Sequence, residues 1–150
     1  MNHKKFELDS RLANDTVILG EFDLSLLLMN KDSRYPWFIL VPKRAGITEL
    51  FQLSEKDQQQ LLKESSSLSE ALYEHLNADK MNVAALGNMV PQLHLHHIAR
   101  FTSDDAWPGP MWGQHPAIPF ESEDLARAVD TYQQALLDRD IAFRPSEPES

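Results

Sequence analysis

The amino-acid sequence predicts an α+β domain with a mostly antiparallel sheet, one long helix and a C-terminal helix. Three observations support this fold class. Short apolar runs bounded by polar residues or proline are typical of strands. Two longer stretches carry apolar residues at helical spacing. The order along the chain is several strands, a long helix, further strands, a loop and a second helix.

Five strands are predicted, at residues 16–20, 24–29, 37–41, 81–86 and 90–99. The third is aromatic and β-branched. It lies between Pro36 and Pro42, which is typical of a buried strand with a proline at each end. Gly87 and Asn88 are expected to form a turn or bulge before the last strand.

The long helix is predicted over residues 54–77, because Ser54 is a good N-cap and acidic residues follow it in the first turn. The second helix is predicted over residues 121–139, where apolar residues recur every three or four positions. Residues 101–120 between strand and helix form a long loop that contains Trp107, Trp112 and four prolines. Ordered loops of this length often carry function.

Composition narrows the class of function. The chain has 150 residues, a net charge of −9 and no cysteine, so it has neither disulfides nor thiolate metal sites. The negative charge argues against duplex nucleic acid as a partner but is compatible with a small anionic ligand held by local cations and backbone amides. No apolar run is long enough to span a membrane, and the first ten residues lack a signal-peptide core. We therefore expect one cytoplasmic domain.

The stretch QLHLHHI, residues 92–98, suggests a site. Successive side chains of a strand point to opposite faces, so Gln92, His94 and His96 share one face. Leu93, Leu95 and His97 share the other and are expected to face the core. The two imidazoles would stand roughly 7 Å apart along the strand.

Three interpretations of the His94–His96 pair remain open. Both can be ordinary half-exposed histidines. They can be two ligands of a metal, with His97, His115, Asp104 or Asp105 completing the set. One can be a nucleophile, which requires a neutral imidazole whose far nitrogen is hydrogen-bonded to a backbone carbonyl.

Two segments resemble the histidine triad (HIT) superfamily of nucleotide hydrolases and transferases. Residues 87–98, GNMVPQLHLHHI, resemble its His-φ-His-φ-His-φ-φ signature, where φ is apolar. Residues 39–44, ILVPKR, resemble its apolar strand ending in Pro-Lys, and the long helix follows in the family order. The similarity covers about residues 15–112. The chain looks like a divergent branch that resembles bacterial HIT proteins described as diadenosine polyphosphate hydrolases.

The sequence departs from that pattern at several positions. Gln92 replaces the first histidine of the triad, and His97 stands where the family prefers an apolar residue. Ala45 and Trp37 replace two further family histidines. The Gly-Gln-Ser/Thr segment becomes Gly87-Asn88-Met89, without a hydroxyl.

The resemblance implies a homodimer that hydrolyses or transfers a nucleotidyl group from dinucleoside polyphosphates or nucleoside phosphoramidates. His94 would be the nucleophile, His96 would assist on the leaving-group side, and Gln92 would orient phosphate without titrating. The implied mechanism requires no cofactor, although a divalent cation can accompany a polyphosphate. Candidate substrate-binding residues are Gly87, Asn88, Asn30, Asp32, Arg100, Trp107 and Trp112.

Two alternatives remain. The replacements at Gln92, Ala45 and Trp37 are compatible with a nucleotide-binding protein of weak or lost catalysis. The His-x-His pair is compatible with a metal-dependent hydrolase.

Overall fold

The computed structural model describes residues 5–147. Its central feature is a six-stranded antiparallel sheet in the order β4-β5-β3-β2-β1-β6. The α+β prediction with an antiparallel sheet is therefore confirmed. The strands are β1 (Thr16–Glu21), β2 (Ser25–Asn30), β3 (Trp37–Pro42), β4 (Lys80–Ala84), β5 (Leu95–Arg100) and β6 (Arg144–Pro145).

In the described part of the chain, three α-helices and one 3₁₀ turn accompany the sheet: α1 (Ser10–Asp15), the 3₁₀ turn Leu50–Gln52, α2 (Glu55–Leu76) and α3 (Ser122–Leu137). The two longer helices confirm the prediction within two residues at each end. The Ser54 hydroxyl accepts a hydrogen bond from the backbone of Asp57 and caps α2. The helix ends at Asn77, whose left-handed backbone (φ 52°) is a common helix stop. Within residues 5–147, no helix is both long and apolar enough for a membrane crossing.

The sheet is covered on both faces. The larger core cluster joins leucines of the strands to α2 and α3, with Leu61, Leu68 and Leu136 as buried helix positions. The opposite face carries two smaller clusters. One includes Leu12 of α1, and the other is formed around Tyr35, Ile98 and Met111. Trp37 packs against both, so it marks the line where they meet.

The structure differs from the sequence prediction at the start of β5. The strand was expected over residues 90–99, but it begins at Leu95. Pro91 has no N–H for a ladder hydrogen bond, and the Gln92 carbonyl is engaged by the His94 ring. His94 therefore immediately precedes the strand instead of lying within it.

Two short elements were not expected. Helix α1 has six residues, and its Asp9 cap binds the Arg11 backbone. Strand β6 pairs with Gly20 and Glu21 of β1, and the Ser146 N–H donates to the Leu19 carbonyl at 2.9 Å. A frayed C-terminal tail was expected over residues 145–150, but residues 145–146 are held against β1. Residues 148–150 lie outside the described part of the chain.

Candidate active site

His94 presents one ring nitrogen to the protein and one to the site. Its Nδ1 lies 2.7 Å from the carbonyl oxygen of Gln92. A carbonyl only accepts hydrogen bonds, so Nδ1 carries the proton and Nε2 of the neutral ring keeps its lone pair. This is the arrangement that a nucleophilic imidazole requires. The side chain is 6% exposed, so little of the ring is open to water.

His96 lies beside His94, with ring centroids 4.9 Å apart at an interplanar angle of 70°. Its Nδ1 accepts a hydrogen bond of 2.9 Å from the indole Nε1–H of Trp37. The Trp112 ring packs against the same imidazole edge to face, at 5.6 Å. The two histidines therefore lie side by side as expected, although only His96 belongs to β5 and His94 precedes it.

Burial, together with the charge repulsion of the neighbouring His94 and His97, lowers the pKa of His96 to about 3. His96 is 7% exposed and is packed between aromatic rings. A charged imidazolium there would lose its hydration without gaining a compensating anion. His96 is therefore neutral at physiological pH.

His97 lies on the opposite face, as the alternation predicted. It is completely buried. Its Nδ1 donates to the Leu95 carbonyl at 3.1 Å, and its Nε2 accepts from the Ser65 hydroxyl of α2 at 2.7 Å. Burial lowers its pKa to about 4. Both ring nitrogens are satisfied, so His97 joins β5 to α2 rather than the site.

Gln92 is held by the N-terminal segment, residues 5–9. Its side-chain oxygen accepts from the Asp9 backbone N–H at 2.8 Å, and its amide nitrogen donates to the Glu7 carbonyl at 2.8 Å. Contact between this amide and a phosphate would require displacement of these bonds. In the observed conformation Gln92 anchors the N-terminal segment beside His94.

Arg11 brings a positive charge to the loop before the histidines. Its guanidinium donates to the Met89 carbonyl at 2.9 Å and pairs with the Asp9 carboxylate at 2.9 Å. This pairing holds the pKa of Asp9 below its ordinary value. Gly87 turns the loop with φ +74°, a region that favours glycine, and Asn88 is exposed beside it.

A cavity of about 340 Å³ is lined by Trp37 but not by His94 or His96. Its volume is within the range of small-molecule sites. The link between the cavity and the histidine pair is the Trp37 side chain, whose indole binds His96. The remaining lining residues are Asn14, Asp15, Asn30, Lys31, Asp32, Tyr35, Met111, Gly113, His115, Ala117 and Pro119.

Asn30 and Asp32 both line this cavity, yet each also has a structural contact. The Asn30 side-chain oxygen accepts from the Asp32 N–H at 2.8 Å. One Asp32 oxygen accepts from the backbone of Arg34 at 3.0 Å and of Ile118 at 3.2 Å. Asp32 thereby fastens the long loop to the end of β2.

The two candidate tryptophans of the long loop, Trp107 and Trp112, contact different partners. Trp112 contacts His96, as described above. Trp107 instead packs on the guanidinium of Arg100, with 5.8 Å from the Arg100 carbon to the ring centroid. Arg100 is 1% exposed and is bonded to Asp104, Asn82 and the Gly109 carbonyl. Arg100 and the half-buried Trp107 therefore contact each other and make no contact with the histidine pair among the interactions described.

Sequence reasoning missed three residues at the site. The sequence placed Trp37 only within a buried strand, but its indole binds His96. The alternation of β3 places Trp37 and Ile39 on one face, and Ile39 pairs with His96. A known β3–β5 register would therefore have placed the indole near that ring. Asp9 and Arg11 carried no comparable signal, because their position depends on the path of the N-terminal segment.

Comparison with known proteins gave consistent matches. A family model described as the HIT domain matches residues 11–103. A histidine triad protein from Marinobacter aquaeolei VT8 is 51% identical, with a TM-score of 0.87 over 89% of this chain and 98% of that chain. Histidine triad proteins from Bradyrhizobium japonicum and Sinorhizobium meliloti 1021 are 42% and 39% identical, each with a TM-score of 0.85 over 89% of this chain and 99% of theirs. No curated protein matched the chain.

Proposed function

Because the chain belongs to the histidine triad (HIT) family, we propose that it is a nucleotide hydrolase or nucleotidyl transferase in which His94 is the nucleophile. Its substrates are dinucleoside polyphosphates or nucleoside phosphoramidates. The observation that carries the proposal is the 2.7 Å contact between His94 Nδ1 and the Gln92 carbonyl. It orients the ring and keeps the Nε2 lone pair available.

The reaction has two steps. The Nε2 lone pair of His94 attacks the α-phosphorus, and the bond from phosphorus to the leaving group breaks with its electron pair. The intermediate is a nucleotidyl-histidine that carries a positive charge. The Gln92 carbonyl stabilises this charge because it accepts the Nδ1–H. Water then attacks phosphorus, and the P–Nε2 bond breaks with its electron pair returning to Nε2. The water loses a proton to solvent, and a nucleoside monophosphate is released.

The nucleoside is proposed to occupy the cavity lined by Asn30, Asp32 and Trp37. An aromatic wall suits a base, and the polar side chains suit a ribose. Trp112 would close the site over His96, which it already contacts. Backbone amides after Gly87, with Asn88, would hold the phosphate. Arg11 donates to the Met89 carbonyl of the same loop and would place a positive charge near that phosphate.

Three candidate site residues hold the protein around the site in this proposal, namely Arg100, Trp107 and Gln92. Arg100 and Trp107 hold the loop that carries Trp112. Gln92 holds the N-terminal segment. None of the three needs to touch the nucleotide. A divalent cation can accompany a polyphosphate substrate without belonging to the protein.

Chemical trapping tests the proposed intermediate. The protein is mixed with α-phosphorus-labelled diadenosine tetraphosphate and quenched in base, where phosphohistidine-type bonds persist, and bound label is then measured. We expect acid-labile label in the wild type and none in His94→Ala. His75→Ala is the matched control, because His75 is an exposed histidine of α2. Label retained by His94→Ala would contradict the assignment.

The side chains around the histidine pair support a metal-dependent hydrolase less well than a histidine nucleophile. The hydrogen bond from Trp37 fixes the remaining proton of His96 on Nε2, which then has no lone pair for a metal. Residues 5–147 contain no group of three or more His, Cys, Asp or Glu side chains placed to hold an ion. Elemental analysis of the purified protein tests this alternative directly.

The weak-catalysis alternative is favoured by one observation. The amide of Gln92, at the first triad position, is hydrogen-bonded to the N-terminal segment through both its oxygen and its nitrogen. A nucleotide that binds without turnover, and without trapped label, would support a binding protein.

We further propose that the protein is a cytoplasmic homodimer. Strand β4 lies at the sheet edge, so one side of its backbone has no strand partner within the described chain. Val83, Leu86 and Met89 are exposed on or near it, Met89 at 86%. Such an edge suits pairing with a second copy. Light scattering of the wild type and Val83→Lys tests dimerisation.

A further inference from the structure

The Trp37–His96 hydrogen bond restricts the chemistry of His96. Trp37 and Ile39 occupy one face of β3, and Ile39 is the register partner of His96, so the indole reaches the imidazole diagonally across the two strands. Its Nε1–H lies 2.9 Å from His96 Nδ1. An indole nitrogen is a donor only. Nδ1 must therefore accept, and the proton of the neutral ring is on Nε2.

The surroundings of His96 maintain this state. The ring lies between the Trp37 ring at 5.7 Å, the Trp112 ring at 5.6 Å and the His94 ring at 4.9 Å. Of the titratable groups, His94 is beside it and His97 follows it on the opposite face. A proton on Nδ1 would break the indole bond and would place an imidazolium next to these two histidines. Both effects, with burial, disfavour the charged ring.

We infer that Trp37 is a positioning residue that holds His96 as a neutral Nε2–H donor, and that the site therefore selects substrates whose leaving group departs as a stable anion. This inference rests on the proposed function. Of the two proposed substrate classes, only phosphoric anhydrides such as dinucleoside polyphosphates have a leaving group that departs as a stable anion. The nucleoside phosphoramidates do not, so the inference leaves the anhydrides as the substrate class.

The difference follows from where the electrons and protons go. When a bridging P–O bond of a polyphosphate breaks, its electron pair moves to an oxygen that is stable as a phosphate anion. The Nε2–H of His96 can hydrogen-bond that oxygen without transferring its proton. When a P–N bond breaks, the electron pair moves to nitrogen, which must receive a proton. Delivery from neutral His96 would leave an imidazolate, and the imidazolium that could deliver a proton is disfavoured by the Trp37 bond and by burial.

Steady-state kinetics tests the selectivity. The wild type is assayed with diadenosine tetraphosphate and with adenosine 5′-phosphoramidate, and kcat/KM is compared. General acid catalysis typically contributes about 10²–10⁴-fold, so we expect the anhydride to be preferred by at least roughly 10²-fold. In Trp37→Phe, which retains an aromatic ring but has no N–H, we expect the ratio to narrow about tenfold or more. Comparable kcat/KM for the two substrates, or an unchanged ratio in Trp37→Phe, would overturn the inference.

Nitrogen NMR of ¹⁵N-histidine-labelled protein tests the tautomer without any substrate. We expect His96 to show a protonated Nε2 and an unprotonated Nδ1 at every pH from 5 to 8. Trp37→Phe should yield a mixed or titrating ring. Trp112→Phe is the matched control, because the Trp112 indole nitrogen is buried but makes no hydrogen bond to a described residue. Titration of wild-type His96 in this range would refute the inference.

The two experiments separate this inference from the proposed function. Equal turnover of both substrates with label trapped on His94 would leave the proposed function standing and would reject the selectivity. Absence of turnover and of trapped label would reject the proposed function and the selectivity together.

Discussion

The guanidinium of Arg100 and the carboxylate of Asp104 are joined by two hydrogen bonds, 2.7 and 3.0 Å long, in which both side chains are almost completely buried. The same guanidinium donates to Asn82 of β4 and to the Gly109 carbonyl. One buried cation thus connects the edge of the sheet to the loop that carries Trp112. The pair pre-organises that loop before any ligand binds.

Removal of the carboxylate should destabilise the fold strongly. Asp104→Asn leaves the buried Arg100 charge without its anion, and breaking a buried pair in this way typically costs about 3–5 kcal/mol. Urea unfolding measures the loss. The matched control is Asp105→Asn, because Asp105 pairs with Arg34 but is 55% exposed. An exposed pair contributes roughly 0–1 kcal/mol, so equal losses in the two variants would contradict this account of Arg100.

The contact between Gln92 and the N-terminal segment predicts a local change. Gln92→Ala removes the acceptor of the Asp9 N–H. We expect the hydrogen exchange of that amide to become about fivefold faster, because one hydrogen bond contributes about 1 kcal/mol. Gln133→Ala is the control, since Gln133 bonds the Leu19 and Ser146 carbonyls instead. Unchanged exchange at Asp9 in Gln92→Ala would show that the segment is held by other contacts.

Ser65 should matter to stability more than its neighbour in sequence. Ser65→Ala leaves the Nε2 lone pair of completely buried His97 without a donor, and an unsatisfied buried acceptor costs about 1–3 kcal/mol. Ser66 is exposed on the same helix, so Ser66→Ala is expected to change stability by no more than about 0.5 kcal/mol. Chemical denaturation of both variants makes the comparison, and equal stabilities would show that the Ser65–His97 bond contributes little.

The two buried histidines should make the protein lose stability at a higher pH than protonation of its carboxylates would. The pKa values of His96 and His97 are about 3 and about 4 in the fold, below the value of about 6.5 for an unfolded histidine. Below about pH 6.5 the unfolded chain binds more protons at these histidines than the folded chain does. Their contribution to the free energy of unfolding is therefore complete above that pH and is lost as pH falls. The expected slope is about 1.4 kcal/mol per pH unit for each of the two histidines.

The acidic residues do not produce the same profile. Glu21 and Asp104 also have lowered pKa values, through Lys43 and Arg100 respectively, but their contribution is lost only below about pH 4. Urea unfolding between pH 6.5 and 4.5 therefore isolates the histidines. We expect His96→Gln to reduce the slope by about half, because one of the two titrating imidazoles is removed. The glutamine side-chain oxygen can still accept the hydrogen bond from Trp37. A flat profile in the wild type would contradict the buried neutral state.

Local sequence patterns predicted most of the sheet and both long helices. The helical spacing of apolar residues and the Ser54 cap placed α2 to within a residue at each end. Prolines on both sides of β3 marked its limits. These features were recoverable because capping, periodicity and proline geometry act over a few neighbouring residues. Helix α1 and strand β6 were missed because six and two residues carry too little pattern.

The candidate site divides in the same way. The sequence by itself determined that His94 and His96 would be side by side and that His97 would face the core, since the alternation of an extended chain is local. Only the tertiary structure decided which proton each ring carries. The partners are a carbonyl two residues upstream for His94, an indole on another strand for His96 and a helix hydroxyl for His97. The indole and the hydroxyl come from elements 59 and 32 residues away, so strand register and helix packing set the chemistry of these histidines.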